Sequence, residues 1–278
     1  MINVINSLPL KVGNSTWRKA VLEEHLRIIC FGNSAQTTLG LTGITSVKTL
    51  NIGQEELEQL QLLVSKDLSF FLELNENKPI KNSFSFKLST PCQNALISTI
   101  KSTHIARDAV AALGSEDVVF HSPCGLYAKT INEVKPDKVD GSGFWHRDSI
   151  GSAIKIFICL EITDNGVTTE LIRESHFMDP FVREWEMGRA YSSPDKLNIL
   201  EQAISNAYTS KINRISLKAG QYFAFNVNAV HRGCYIQSSP GSRLTAQITL
   251  TTTANVHLYD AFHGTNYHAD LKVADILL

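Results

Sequence analysis

The sequence predicts a mainly β fold with flanking helices, and two observations carry that expectation. After Gly114 the chain breaks into short apolar or alternating runs separated by turn residues, the texture of closely spaced strands in a barrel or double-sheet jelly roll. Before Gly114 the apolar residues recur at helical spacing, with capping residues at the ends of the runs, so the N-terminal part, about 1–114, reads as scaffold helices. A chain of 278 residues can bury one substantial core. No repeat, low-complexity tract or linker divides it. A single domain is expected, with a core over about 115–255 and a tail over about 256–278.

Ser15 is placed to cap a first helix through Trp17, Val21, Leu22, Leu26 and Ile29 that stops at Gly32, and a second runs from about Gln54 to Leu68. A third opens at Ser89-Thr90-Pro91, where a hydroxyl precedes proline in the first turn, and continues past Ile97, Ile100, Ile105 and Val110 to Gly114. Strands are expected over 118–121, 125–131, 152–162, 167–172, 214–217, 222–227 and 244–252, where β-branched and aromatic residues cluster. Asp164-Asn165-Gly166 is a hairpin-type turn. One segment interrupts the strands, about 179–207; with Phe181, Trp185, Leu197, Leu200 and Ile204 it has helical composition and reads as an inserted lid.

A formal charge of −1 supplies no basic field, so nucleic acid is not an expected partner. No run approaches the roughly 20 apolar residues of a membrane span, and Met1-Ile2-Asn3-Val4-Ile5-Asn6 lacks a signal-peptide pattern. A cytoplasmic protein acting on a small-molecule substrate is the expectation, and nothing in the sequence specifies an oligomeric state. Cys30, Cys92, Cys124, Cys159 and Cys234 are odd in number and form no Cys-x-x-Cys pair. They read as small buried hydrophobes without chemistry.

The chemistry is concentrated in His146-Arg147-Asp148, with His231 much later in the chain. Two imidazoles and one carboxylate suit a mononuclear non-haem iron(II) centre. They would equally hold zinc or manganese in a water-activating site. With nine histidines and 27 acidic residues, about one His-x-Asp/Glu match arises by chance. Indeed His268-Ala269-Asp270 is a second one, which reads as solvated tail because no histidine or strand-like run follows it. Context separates the two copies. Asp148 is followed by a strand-like run, and His231 closes another before Gly233.

Several segments resemble the phytanoyl-CoA dioxygenase-like family of iron(II)- and 2-oxoglutarate-dependent oxygenases. Trp145-His146-Arg147-Asp148-Ser149 is similar to its proximal metal motif, 154–160 to the core strand that follows, and 165–176 to its turn, strand and Gly-Ser-His segment, with Arg173-Glu174 standing where Pro-Gly is usual. The run 218–233 is similar to the distal histidine strand and Arg243-Leu244-Thr245 to the arginine strand. The resemblance implies a double-stranded β-helix (jelly roll, cupin-like) core with iron(II) on His146, Asp148 and His231. It also implies 2-oxoglutarate anchored by Arg243; Thr245, two residues on and so on the same side of a strand, is placed to add a hydroxyl donor, and Lys155 is the next candidate anchor. The implied reaction uses O2 to oxidise an aliphatic carbon of a small metabolite, such as an amino acid or specialised metabolite. Because Asp148 keeps its carboxylate where related halogenases have glycine or alanine, hydroxylation, desaturation or ring closure is favoured over halogenation. Two other classes stay open: a cupin-like metal-dependent hydrolase or isomerase, which needs no Arg243, and a non-catalytic small-molecule-binding barrel. Trp145 and His176 read as packing and structural residues.

Overall fold

The computed structural model describes residues 37–78, 82–101, 103–114, 118–130, 143–146, 148, 153–163, 166–177, 202, 204–234 and 240–252. The helix expected over 15–32, turn residues 164–165, most of the 179–207 segment and the second His-x-Asp motif lie outside them.

Helices α1 (Thr38–Thr42), α2 (Gln54–Leu74), α3 (Thr90–Lys101) and α4 (Ile105–Leu113) alternate with strands β1 (Lys48–Thr49) and β2 (Ser83–Lys87). The strands that follow are β3 (Val118–Lys129), β4 (Ala153–Ile162), β5 (Thr168–Ile172), β6 (Ile212–Ile215), β7 (Gln221–Asn226), β8 (His231–Cys234) and β9 (Ser242–Thr252). They form a six-stranded sheet, ordered β1-β7-β4-β9-β3-β2, and a three-stranded sheet, ordered β6-β5-β8, with every pairing antiparallel. This is the double-sheet jelly roll the sequence predicts. Among the described residues the sheets do not close into a barrel, and no helix is long and apolar enough to cross a membrane.

The central strands are buried on both faces, and the two-residue period of a strand decides what each face carries. From β4, Ile154, Ile156, Ile158 and Leu160 join Leu244, Ala246, Ile248 and Leu250 of β9 in one core packed with Leu60, Val64, Leu96, Ile100 and Ile105 of the helices. The alternate residues Phe157 and Cys159 face the other way and pack with Phe223, Phe225, Leu171 and Ile215 between the sheets. The site lies on that inner side.

Several elements differ from the sequence expectation. The two short strands over 118–121 and 125–131 are one strand, β3, whose register on β9 shifts between His121 and Cys124. The extra residue makes a bulge, which accommodates Pro123 without a missing ladder bond and moves the inward-facing set from odd to even positions. Gly125 follows because the Phe86 ring lies over it; a Cβ there would run into that ring. The N-terminal part is not helical throughout, since it supplies β1 and β2 at the two edges of the larger sheet. α2 runs beyond Leu68 to Leu74. The third helix divides into α3 and α4, and the Ser89 hydroxyl donates to Asp67 Oδ2 at 3.0 Å instead of capping. α4 ends at Gly114 in a left-handed conformation with φ 61°.

Candidate metal centre and co-substrate pocket

His146 and His231 face each other across an isolated antiparallel bridge, each backbone N–H donating to the other's carbonyl at 2.9 Å. Directly opposed residues project to the same side, and the two rings sit with centroids 4.4 Å apart. Asp148, two residues on from His146, also projects inward, and its backbone N–H donates to Val227 at 3.2 Å. Its Oδ1 lies 3.6 Å from His146 Nε2 and its Oδ2 lies 3.5 Å from His231 Nε2.

The histidine tautomers follow from the backbone. His146 Nδ1 lies 2.6 Å from the Phe144 carbonyl and His231 Nδ1 lies 3.0 Å from the Ala229 carbonyl. A carbonyl only accepts, so each Nδ1 carries a proton and each Nε2 is turned toward Asp148. This is the arrangement that prepares histidines for a cation. Ligand atoms about 2 Å from one metal lie roughly 3 to 4 Å from one another, and one atom from each of the three residues falls within a 4.8 Å cluster. The donor set therefore fits a divalent metal.

Charge favours the same state. Burial alone would raise the Asp148 carboxyl, but Lys155 beside it, together with His231 and His146, holds it well below the usual carboxylate range. Lys155 Nζ reaches Asp148 Oδ2 at 2.7 Å. Burial and the neighbouring His231 lower His146, outweighing Asp148 and the Phe144 carbonyl. The site thus presents an ionised carboxylate beside a histidine that resists protonation.

A cavity of about 220 Å³ opens here, lined by the three residues and Lys155 and also by Arg243, Thr169, Gly233, Phe157 and Gln247. Arg243, only 3% exposed, spans the sheets by donating from Nη1 to Thr169 Oγ1 at 3.2 Å. A buried guanidinium in a polar cavity is suited to a carboxylate. Thr245 points inward two residues later but is fully buried, and it is not among the lining residues. Its hydroxyl has no hydrogen-bond partner among the described residues. Thr169, Gln247, Ser83 and Ser85 also line the cavity and were not expected from sequence. Gln247 is reachable by parity from Arg243, whereas Thr169 needs the cross-sheet packing.

The remaining assignments are structural. Trp145 is fully buried with Ile172, Ile204 and Val230. His176 Nε2 lies 3.0 Å from the Gly40 carbonyl, its ring filling the space beneath Gly43, whose φ is 78°. Burial pushes the Cys124, Cys159 and Cys234 thiols up to about 11 and Cys92 to about 12, so they stay protonated and unreactive.

No protein-family model matches the sequence, and comparison with curated proteins finds no match. Among solved structures, EctD from S. alaskensis with bound Fe is similar at a TM-score of 0.51 and 15% identity, over 81% of this chain and 76% of that one. The structure of EctD from S. alaskensis with 2-oxoglutarate and 5-hydroxyectoine gives 0.50 and 16% over the same shares. At these identities the likeness establishes the fold: the chain is a jelly roll of the kind those structures share.

Proposed function

We propose that this chain is an iron(II)- and 2-oxoglutarate-dependent oxygenase that hydroxylates, or otherwise oxidises, an aliphatic carbon of a small molecule. One observation carries the reading: a metal-ready His146, Asp148 and His231 cluster shares a cavity with the buried guanidinium of Arg243. A metal hydrolase needs only the first of these. Arg243 adds an anchor for a dicarboxylate, and the fold shared with structures holding Fe and 2-oxoglutarate supports the pairing. When bound, iron(II) supplies oxygen-dependent oxidation, in which 2-oxoglutarate, O2 and a C–H group become succinate, CO2 and a C–OH group.

The residues have separable tasks. His146 and His231 offer Nε2 as the ligand atom, fixed in orientation by the Phe144 and Ala229 carbonyls. Asp148 offers a charged oxygen, and Lys155 restrains its Oδ2 through the 2.7 Å contact. That contact favours a role for Lys155 beside the carboxylate over that of alternative anchor. Arg243 receives the far carboxylate, and Thr245 supports the same face of β9. The intact carboxylate of Asp148 leaves no added position for halide, so oxidation without halogenation is the expected outcome.

The test is anaerobic titration of the iron(II)-loaded protein with 2-oxoglutarate, followed by a metabolite screen for succinate release under O2. A visible charge-transfer band on chelation and substrate-dependent succinate are expected. Metal binding without any response to 2-oxoglutarate would refute the oxygenase and favour the hydrolase.

A further inference from the structure

We propose that Arg232 and Trp145 form a positioning clamp that sets the spacing of the two histidine ligands from outside the site. The inference rests on His146 and His231 being metal ligands, but not on which metal or co-substrate they serve.

Neighbouring residues in extended chain point to opposite sides. Hence Trp145 and Arg232, each adjacent to one histidine, project away from the cavity onto the outer face of the smaller sheet. There they meet, with the Arg232 guanidinium carbon 4.4 Å from the centroid of the Trp145 ring. Both partners are locked. Glu170, 5% exposed, accepts from Arg232 Nε at 2.9 Å and Nη2 at 2.8 Å. Its other oxygen accepts from Arg214 Nε at 2.9 Å. Glu170, Arg214 and Arg232 are cross-strand neighbours on β5, β6 and β8, so the fork holds the guanidinium plane in a fixed attitude. The indole is fixed from its far edge, where Nε1 donates to Ser205 Oγ at 3.1 Å.

The clamp matters because, among the described residues, the backbone of His146 itself is paired only with His231. His146 sits in an isolated bridge, not in a strand, so two backbone hydrogen bonds to His231 take the place of a ladder. Such a bridge can still twist about the chain axis. A cation stacked on an indole opposes that twist, because turning His146 out of alignment drags Trp145 off Arg232. Glu170 and Ser205 line none of the cavity, yet they hold the clamp.

Cobalt(II) affinity and the visible spectrum of the cobalt(II) form test this without any turnover. Arg232→Met should weaken cobalt binding by about tenfold or more, the usual scale for partners that orient metal ligands, and should change the cobalt spectrum. Arg214→Met, which removes the other arginine from the same carboxylate, should leave affinity within about twofold. Trp145→Phe, keeping a ring face, should fall between wild type and Trp145→Leu; this pair carries the test if Arg232→Met does not fold. Wild-type affinity and spectrum in Arg232→Met, or equal loss in Arg214→Met, would overturn the clamp. Failure of the wild-type protein to bind cobalt would overturn the metal reading itself, and the clamp with it.

Discussion

On β4, Ile154, Ile156, Ile158 and Leu160 point at the helices, while Lys155, Phe157 and Cys159 point at the opposing sheet. β9 divides in the same way, with Leu244, Ala246, Ile248 and Leu250 on the helix face and Arg243 and Gln247 on the cavity face. The helix face holds only hydrocarbon and can be argued from buried area. The inner face mixes aromatic rings with a lysine, an arginine and threonines that are largely buried. Groups buried at such cost require partners, and the pairs Lys155 with Asp148 and Arg243 with Thr169 supply them. Adjacent residues on one strand therefore divide stability from binding, which is a testable separation.

The largest expected effect is on the inner side. His231→Ala removes one of three metal donors and should weaken iron(II) or cobalt(II) binding by at least 100-fold, while thermal unfolding of the metal-free protein stays near wild type. Isothermal titration read beside circular dichroism checks both halves. Wild-type metal affinity in that variant would remove His231 from the ligand set. Arg243→Leu should come next, leaving metal affinity intact but costing about 2 to 5 kcal/mol of 2-oxoglutarate binding, because the far carboxylate would be buried without its cation. An unchanged 2-oxoglutarate affinity would place the anchor elsewhere.

The helix face supplies the counterpart. Ile156→Ala should destabilise the fold by about 2 to 5 kcal/mol in urea unfolding, since the site is fully buried and cannot collapse freely. The folded fraction should bind metal as wild type does, although Lys155 and Phe157 flank the substitution. A large loss of metal affinity there would show that the two faces are not separable.

How much of this was legible depends on whether a signal is local. β4 and β9 are long and apolar on both faces, so their composition marks them out. The metal motif is also local, because His146 and Asp148 need only a spacing of two to share a side. β2 was legible in principle, since Ser83-Phe84-Ser85-Phe86 alternates, but five residues between helices make a weak signal. β8 is shorter still, and its polar His231-Arg232-Gly233 gives no strand pattern. Pro123 was misleading, because it interrupts the sequence pattern while the bulge lets the ladder continue. The division of α3 from α4 had a trace, the five-residue step from Ile100 to Ile105 that breaks the helical phase. Thr169 beside Arg243, and Arg232 over Trp145, join distant parts of the chain and have no local signature.

The smallest expected effect comes from the outer face of the smaller sheet and sharpens the contrast with the inner one. Burial would raise the Glu170 carboxyl, but hydrogen bonds from Arg214 and Arg232 outweigh it and hold it below its ordinary value of 4.5. A carboxyl depressed on folding stabilises the native state above the unfolded-state value and loses that contribution as pH falls through the folded value. Glu170→Gln should therefore be less stable than wild type at neutral pH, by on the order of 1 to 3 kcal/mol. The gap should narrow progressively below pH 4.5, as wild-type Glu170 takes up its own proton. Urea unfolding of both proteins across the acid range measures the gap directly. Asp148 is also depressed, but it is present in both proteins and cancels from the difference. A gap that stays constant through acid would mean that Glu170 contributes shape and hydrogen bonding but no charge.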